Sequence, residues 1–208
     1  MGRRRPDTGS QKIEKDSCVI NHFSLLLLAF AAPLALGQTS SWVPDKAHSE
    51  VTFSILHMTL SNVRGRFCNI GGTIVLNETD ITKSTVNVTI DVTTVDTGVS
   101  QRDADLKSDH FFEVEKFPTA TFVSKTIAKS GNGLTVSGDL TVHGVSKPVV
   151  LQVEGPTGPV NGMDHKPHSG FSATTTINRQ DFLIGTSYPA AVVGNEVKLA
   201  IDLDLAKQ

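Results

Sequence analysis

An all-β chain is what the sequence predicts, and three observations predict it. After Ala47, apolar and polar residues alternate with period two, as they do in a strand whose successive side chains point to opposite faces. Turn residues interrupt that alternation at short intervals, the punctuation of an antiparallel sheet. One stretch alone, Val99 to Phe112, breaks the rhythm, and one short helix cannot cover the apolar faces of about eight strands. Those faces must cover one another, which leaves a sandwich or a closed barrel.

The elements follow in order. Arg3, Arg4, Arg5, Lys12 and Lys15 precede an apolar run from Phe23 to Leu36 that ends in small residues at Ala35-Leu36-Gly37. A basic flank, a short apolar core and a small-residue end predict a secretory signal peptide over residues 1–37, cleaved after Gly37. Residues 38–208 are then expected to form one exported, periplasmic domain with no integral membrane span. Val51, Phe53 and Ile55 alternate with Thr52 and Ser54, and the same phase would turn His57 inward. Val63, Gly65 and Phe67 face away from Arg64 and Arg66, and Gly71-Gly72 is expected to stop that run. Val86, Val88, Ile90 and Val92 make the next strand. Val99 to Phe112, with Val99, Leu106 and a phenylalanine pair among charges, predicts the single short helix. Strands are expected over Thr119–Ala128 and Leu134–Val142, separated by Gly131-Asn132-Gly133, and over Val145–Glu154, with His143-Gly144 as a hairpin turn. Gly155 to Gly170, rich in glycine and proline, reads as a long loop. Phe171, Ala173, Thr175 and Ile177 precede a closing strand, Val197 to Ala206, whose Val197, Leu199, Ile201, Leu203 and Leu205 share one face.

Composition excludes several functions. The 208 residues, 38% of them hydrophobic, suit one domain, and the formal charge is −2. Losing residues 1–37 removes five basic residues and three acidic ones (Asp7, Glu14, Asp16), which moves the charge to −4. That acidic balance argues against nucleic acid and against an anionic membrane surface as partners. Cys68 is then the one cysteine left, so no internal disulfide is expected. A homodimer is compatible with the sequence.

Chemistry is sparse. His48 and His57 are nine apart and fall on opposite strand faces, while His165 and His168 lie in a Pro/Gly stretch without the spacing of a zinc site. Asp103, Asp105, Asp109 and Glu113 fail the calcium-loop pattern, because Ser108 stands where the turn glycine belongs and Val114 where the bidentate Glu belongs. No nucleophile elbow, phosphate loop or His-Glu-x-x-His is present. The residues themselves point to no cofactor.

Four separated stretches nevertheless stand in a known order: "HSEVTFSILHM" with "VRGRF" (48–58, 63–67), "RDADLKSDHFFEVEKFPTATF" (102–122), "GDLTVHGVSKPV" (138–149) and "NRQDF" (178–182). In these the chain resembles the YceI-like family, from about Trp42 to Leu205. The resemblance implies an exported bacterial protein with an extended eight-stranded antiparallel lipocalin-like barrel, whose lumen holds a long-chain amphiphilic lipid such as a polyisoprenoid or isoprenoid quinone. On that reading the inward-phased residues Phe53, Ile55, His57, Val88, Ile90, Phe122, Leu151, Phe171, Leu199, Ile201 and Leu203 are the candidate cargo contacts. Arg102, Asp103, Arg179 and Asp181 match family motif positions, either as an ion-paired support or as head-group contacts. One position departs from the pattern: Leu183 follows Phe182 where the family often has glycine. The rival expectation is an enzyme or redox accessory working on the lipid, with His57 or His143 moving protons.

Overall fold

Ten strands make the wall of a barrel with eight positions: β1 (Thr39–Pro44), β2 (Glu50–His57), β3 (Ser61–Phe67), β4 (Ile70–Asn77), β5 (Thr85–Asp91), β6 (Thr119–Ser130), β7 (Gly133–Val142), β8 (Val145–Asn161), β9 (Pro167–Asn178) and β10 (Val193–Lys207). The computed structural model describes residues 38–208, and the expected signal peptide lies outside them. Pairing runs β1-β4-β5-β6-β7-β8-β9-β10, and β10 returns to β1 to shut the ring. Every pairing is antiparallel.

The last strand explains why ten strands fill eight places. On one edge of β10, Lys207 pairs with Trp42 of β1 and Ile201 pairs with Val51 of β2. Thus β1 and β2 are one wall strand broken at residues 45–49, and β3 and β4, their partners, are another. The break is held by Asp45, whose Oδ1 accepts the backbone N–H groups of Ala47 (2.8 Å) and His48 (3.1 Å). The sequence offers little sign of β1, because its inward positions are Ser40, Trp42 and Pro44.

Two expected interruptions prove to be strand. Gly71 and Gly72 lie inside β4, where Gly72 has φ +114 and a Cβ would stand 2.2 Å from the Asn87 carbonyl oxygen of β5. The glycine permits close approach rather than a stop. The stretch 155–170 is likewise no long loop: β8 and β9 continue through it, with Thr157 opposite Gly170 and Val160 opposite His168. Register shifts flank Thr157, and Gly155 and Gly158 take positive φ there, so the turn-forming residues mark bulges in an extended hairpin.

This hairpin bears a pH-sensitive clamp. His168 Nδ1 lies 2.5 Å from Asp204 Oδ1 on β10, and its Nε2 lies 3.1 Å from Asp164 Oδ1 in the turn. The hydrogen bond to Asp204 is the main cause that raises the His168 pKa above its ordinary value of 6.5. A raised histidine pKa means that the folded state holds the proton more tightly, so the stabilisation is full below pH 6.5 and fades as pH climbs through the folded value. The melting temperature of the protein is expected to fall across that range, and the same scan on His168→Gln should lack this component.

The expected helical segment is shorter than its pattern. α1 spans Ser100–Lys107, buries no residue of its own, and ends at Ser108, whose N–H returns to the Asp105 carbonyl. Phe111 and Phe112, beyond it, supply the packing: Phe111 stacks on Tyr188 with centroids 5.0 Å apart, and Phe112 meets Phe67 edge-on. The deepest side chains are Leu205, Ile70 and Phe182, all essentially inaccessible to solvent.

Candidate functional site

Val51 of β2, inward residues of β4 to β10, and Ile81 and Ser84 between β4 and β5 surround a cavity of about 120 Å³. Its wall is valine, isoleucine, leucine, phenylalanine and Ala173, and only Ser84 and Thr175 bring side-chain oxygens to it. Among the described residues, no ionisable side chain lines it. Several wall residues, among them Phe171, Leu151, Leu199, Ile201 and Leu203, are only half-buried although they point inward. The side chains therefore do not fill the barrel, one of two outcomes open to eight strands.

Of the eleven residues predicted as cargo contacts, Val88, Ile90, Phe122, Leu151, Phe171, Leu199, Ile201 and Leu203 line the cavity. Phe53, Ile55 and His57 do not. Phe53 lies over Gly65, where a Cβ would be 2.5 Å from its ring, and packs on Phe67 at 5.5 Å between centroids. Ile55 and His57 belong to the far part of the β2–β3 hairpin, and His57 is exposed rather than inward. Among the described residues no strand pairs with β3 on its far side along Ser61–Gly65, so this part of the hairpin is a free edge. Among the lining residues not predicted, Ile70, Ile74 and Leu76 escaped because Gly71-Gly72 looked like a stop rather than part of β4, and Ile81 and Ser84 lie in the turn beyond it; the alternation of Ile74 and Leu76 just after the glycine pair was the available signal.

The wall has one seam. The β8–β9 ladder runs from Asn161↔Pro167 to Gln152↔Thr174 and stops, while β8 continues to Val145 paired with β7, and β9 continues to Asn178 paired with β10. Across the gap Thr175 Oγ1 donates to the Val150 carbonyl at 2.9 Å. Val149, Leu151 and Thr175, on its two sides, are also cavity residues. A larger open groove of about 910 Å³ crosses the outside of β8, β9, β10, β2 and β3, with Thr174, Thr176, Lys198 and Arg64 in its exposed wall. Those four residues alternate with the inward set, but Thr175 and Leu199 border both the groove and the lumen, so the two adjoin at the seam.

Residues 42–205 match the YceI-like domain. The chain belongs to the YceI-like family. Protein YceI of Salmonella newport is 34% identical over 190 residues, which span 89% of this chain and 96% of that one. Among solved structures, the YceI protein of Campylobacter jejuni is similar with TM-score 0.65 and 32% identity, covering 74% of this chain and 90% of that one. A polyisoprenoid binding domain from Saccharophagus degradans shares the fold at TM-score 0.59 and 17% identity, covering 82% and 100%.

The motif residues of this YceI-like barrel act on its own backbone. Arg179, buried at 2% exposure, donates from Nε to the Gly194 carbonyl (2.9 Å), from Nη1 to the Ile184 and Gly185 carbonyls, and from Nη2 to the Tyr188 (2.7 Å) and Val193 (2.8 Å) carbonyls. Burial lowers the pKa of its guanidinium. Backbone carbonyls accept from its five N–H groups, neither the ion pair nor the head-group contact that the sequence left open. Asp103 Oδ1 accepts from the Thr97 N–H (2.9 Å) and hydroxyl (2.5 Å), and Arg102 Nε and Nη2 donate to the Thr97 hydroxyl (2.8 Å) and carbonyl (3.0 Å). Together they fix the entry to α1. Asp181 is exposed. Leu183 adopts the left-handed conformation, φ +58 and ψ +26, so its backbone takes a shape that glycine adopts at lower cost.

Neither candidate histidine borders the cavity. His143, with Gly144, makes the expected β7–β8 turn, its Nδ1 3.2 Å from the Phe182 carbonyl and its ring edge-on to Phe117. Among the described residues, no cluster of three His, Cys, Asp or Glu side chains is placed to hold a metal ion.

Proposed function

We propose that this protein is an exported, non-enzymatic carrier or store of a long-chain amphiphilic lipid of the isoprenoid class, polyisoprenoid or quinone, held tail-first in the barrel. The observation that carries this reading is a lumen with an apolar, half-buried wall and no ionisable group. Such a wall can hold a hydrocarbon and has nothing to protonate it. The family membership and the polyisoprenoid binding domain of the same fold support it.

Each buried methylene contributes about 0.8 kcal/mol, so about twelve carbons reach the order of 10 kcal/mol before entropy losses. The cavity of about 120 Å³ is small beside a long isoprenoid tail, so this reading requires half-buried wall residues such as Phe171, Leu199, Ile201 and Leu203 to give way when cargo enters. An acid–base role for His57 or His143 lacks the contact with the lumen that such chemistry needs.

Native mass spectrometry of gently purified protein tests the reading. A lipid adduct is expected, on a chain whose mass begins at Gln38. An apo mass, together with organic extracts free of lipid, overturns it.

A further inference from the structure

The β2–β3 hairpin ends in an apolar tip. Leu56, Met58 and Leu60 are 41%, 51% and 83% exposed, and they sit together on one hairpin, whereas the other exposed large apolar residues, such as Val123, Val160, Met163 and Leu183, are scattered along the chain. The turn is strained: the Leu60 N–H bonds to the His57 carbonyl at 3.0 Å, with Met58 and Thr59 both left-handed at φ +50 and +59. A β-branched residue is a genuine outlier there, and Asn-Gly is what such turns favour. The chosen residues forgo an easy turn and present a methionine.

Behind the tip lies positive charge. From Val51 to Asn77 there is no Asp or Glu. Lys198, Ser54 and Arg64 form one row across β10, β2 and β3, with both cations exposed. Leu56, two residues from Ser54, faces the same side as that row, about 7 Å away at about 3.4 Å per residue. Arg66 is neutralised by Asp96 (3.3 Å) and Glu50 (3.8 Å), and Glu196 is the acidic neighbour of Lys198 on β10. An apolar wedge with cations a few ångströms behind it matches the layers of a lipid surface, acyl chains below and phosphates above. The hairpin also stands at the open end of the seam: its His57 pairs with Val193 at the start of β10, which lies beside the end of β9.

We propose that the β2–β3 tip docks the protein on a bilayer containing anionic phospholipid, with Leu56, Met58 and Leu60 in the interface and Arg64 and Lys198 on the phosphates. The docking rests on the carrier reading for its purpose and on the hairpin for its geometry. The test is co-sedimentation with phosphatidylcholine vesicles with and without about 30% phosphatidylglycerol, a share that gives the surface a negative potential. The full protein should pellet with the anionic vesicles and release at high salt. Met58→Asp and Leu60→Asp should each lower binding about tenfold or more, and Arg64→Glu about fivefold or more. Met58→Asn with Thr59→Gly, which relaxes the turn, should raise the melting temperature and still lose binding. No pelleting of the unaltered protein, or pelleting that these changes leave intact, overturns docking. So does a dimer that Leu60→Asp splits without any vesicle binding, since the tip then joins two copies. Lipid content read on the same samples separates the two ideas: an apo protein that binds vesicles sinks the carrier reading alone, and a loaded one that ignores them sinks docking alone.

Discussion

Arg179→Met is expected to destabilise the barrel by about 5 kcal/mol, a large part of the roughly 5–15 kcal/mol that holds a domain of this kind together. The guanidinium gathers five carbonyls, from Ile184, Gly185, Tyr188, Val193 and Gly194, into one cluster. Hydrogen bonds to a charged group contribute about 1.5–3 kcal/mol each, and a buried carbonyl left without a donor costs about 1–3 kcal/mol. The five do not add, because part of the cluster can be reached by water once the guanidinium is gone. Arg179→Lys keeps the charge but offers three donors from a single point, and should lose about half as much. Denaturant unfolding measures both, with the slope unchanged and the midpoint lowered. A methionine variant within about 1 kcal/mol of the parent would show that water already serves those carbonyls.

Ala173→Phe should empty the barrel of lipid while leaving the fold intact. Ala173 is the smallest side chain of the cavity wall, opposite Val153 on β8 and Ile201 on β10. The added ring takes about 100 Å³, roughly three water molecules' share, within a cavity of about 120 Å³. In a filled core the same enlargement would strain neighbours by typically about 1–3 kcal/mol. Here the ring occupies space that a tail would use. Retained lipid per chain should drop at least about tenfold, the equivalent of about 1.4 kcal/mol, with the melting temperature of delipidated protein unchanged or raised. A lower melting temperature with lipid retained would place the cargo elsewhere, and Leu203→Phe offers a milder step along the same path.

The barrel was legible because period-two alternation is strict where a strand has one wet and one dry face. That is why β5, β7, the first part of β8 and β10 are legible, and why phase, together with the family resemblance, reached eight of the cavity residues. The failures come from places where local chemistry serves another need. Gly72 lets β5 approach, and Gly155 and Gly158 shape bulges, yet all three look like strand stops. Alternation fixes which way Ile55 and His57 point along β2 but says nothing of whether a wall stands opposite. The Arg179 cage joins residues from 179 to 194 through their backbone carbonyls, which leave no mark in side-chain pattern.

The closure of the ring has a consequence for how the chain folds. Trp42 meets Lys207, and β10 alone binds β1, β2 and β9. Contacts so distant in sequence are slow to form, because the entropy of closing a long loop must be met before the contact stabilises anything. Seven wall positions can pair in succession as neighbours, but the cylinder exists only once the final fifteen residues arrive. Until then β1 and β9 are open edges exposing apolar faces, and the intermediate is the species most prone to aggregate. The C-terminal strand therefore acts as the keystone of assembly: a chain shortened within Leu203–Lys207 keeps the β10–β2 pairing but loses the β10–β1 pairing, and the ring opens at that end.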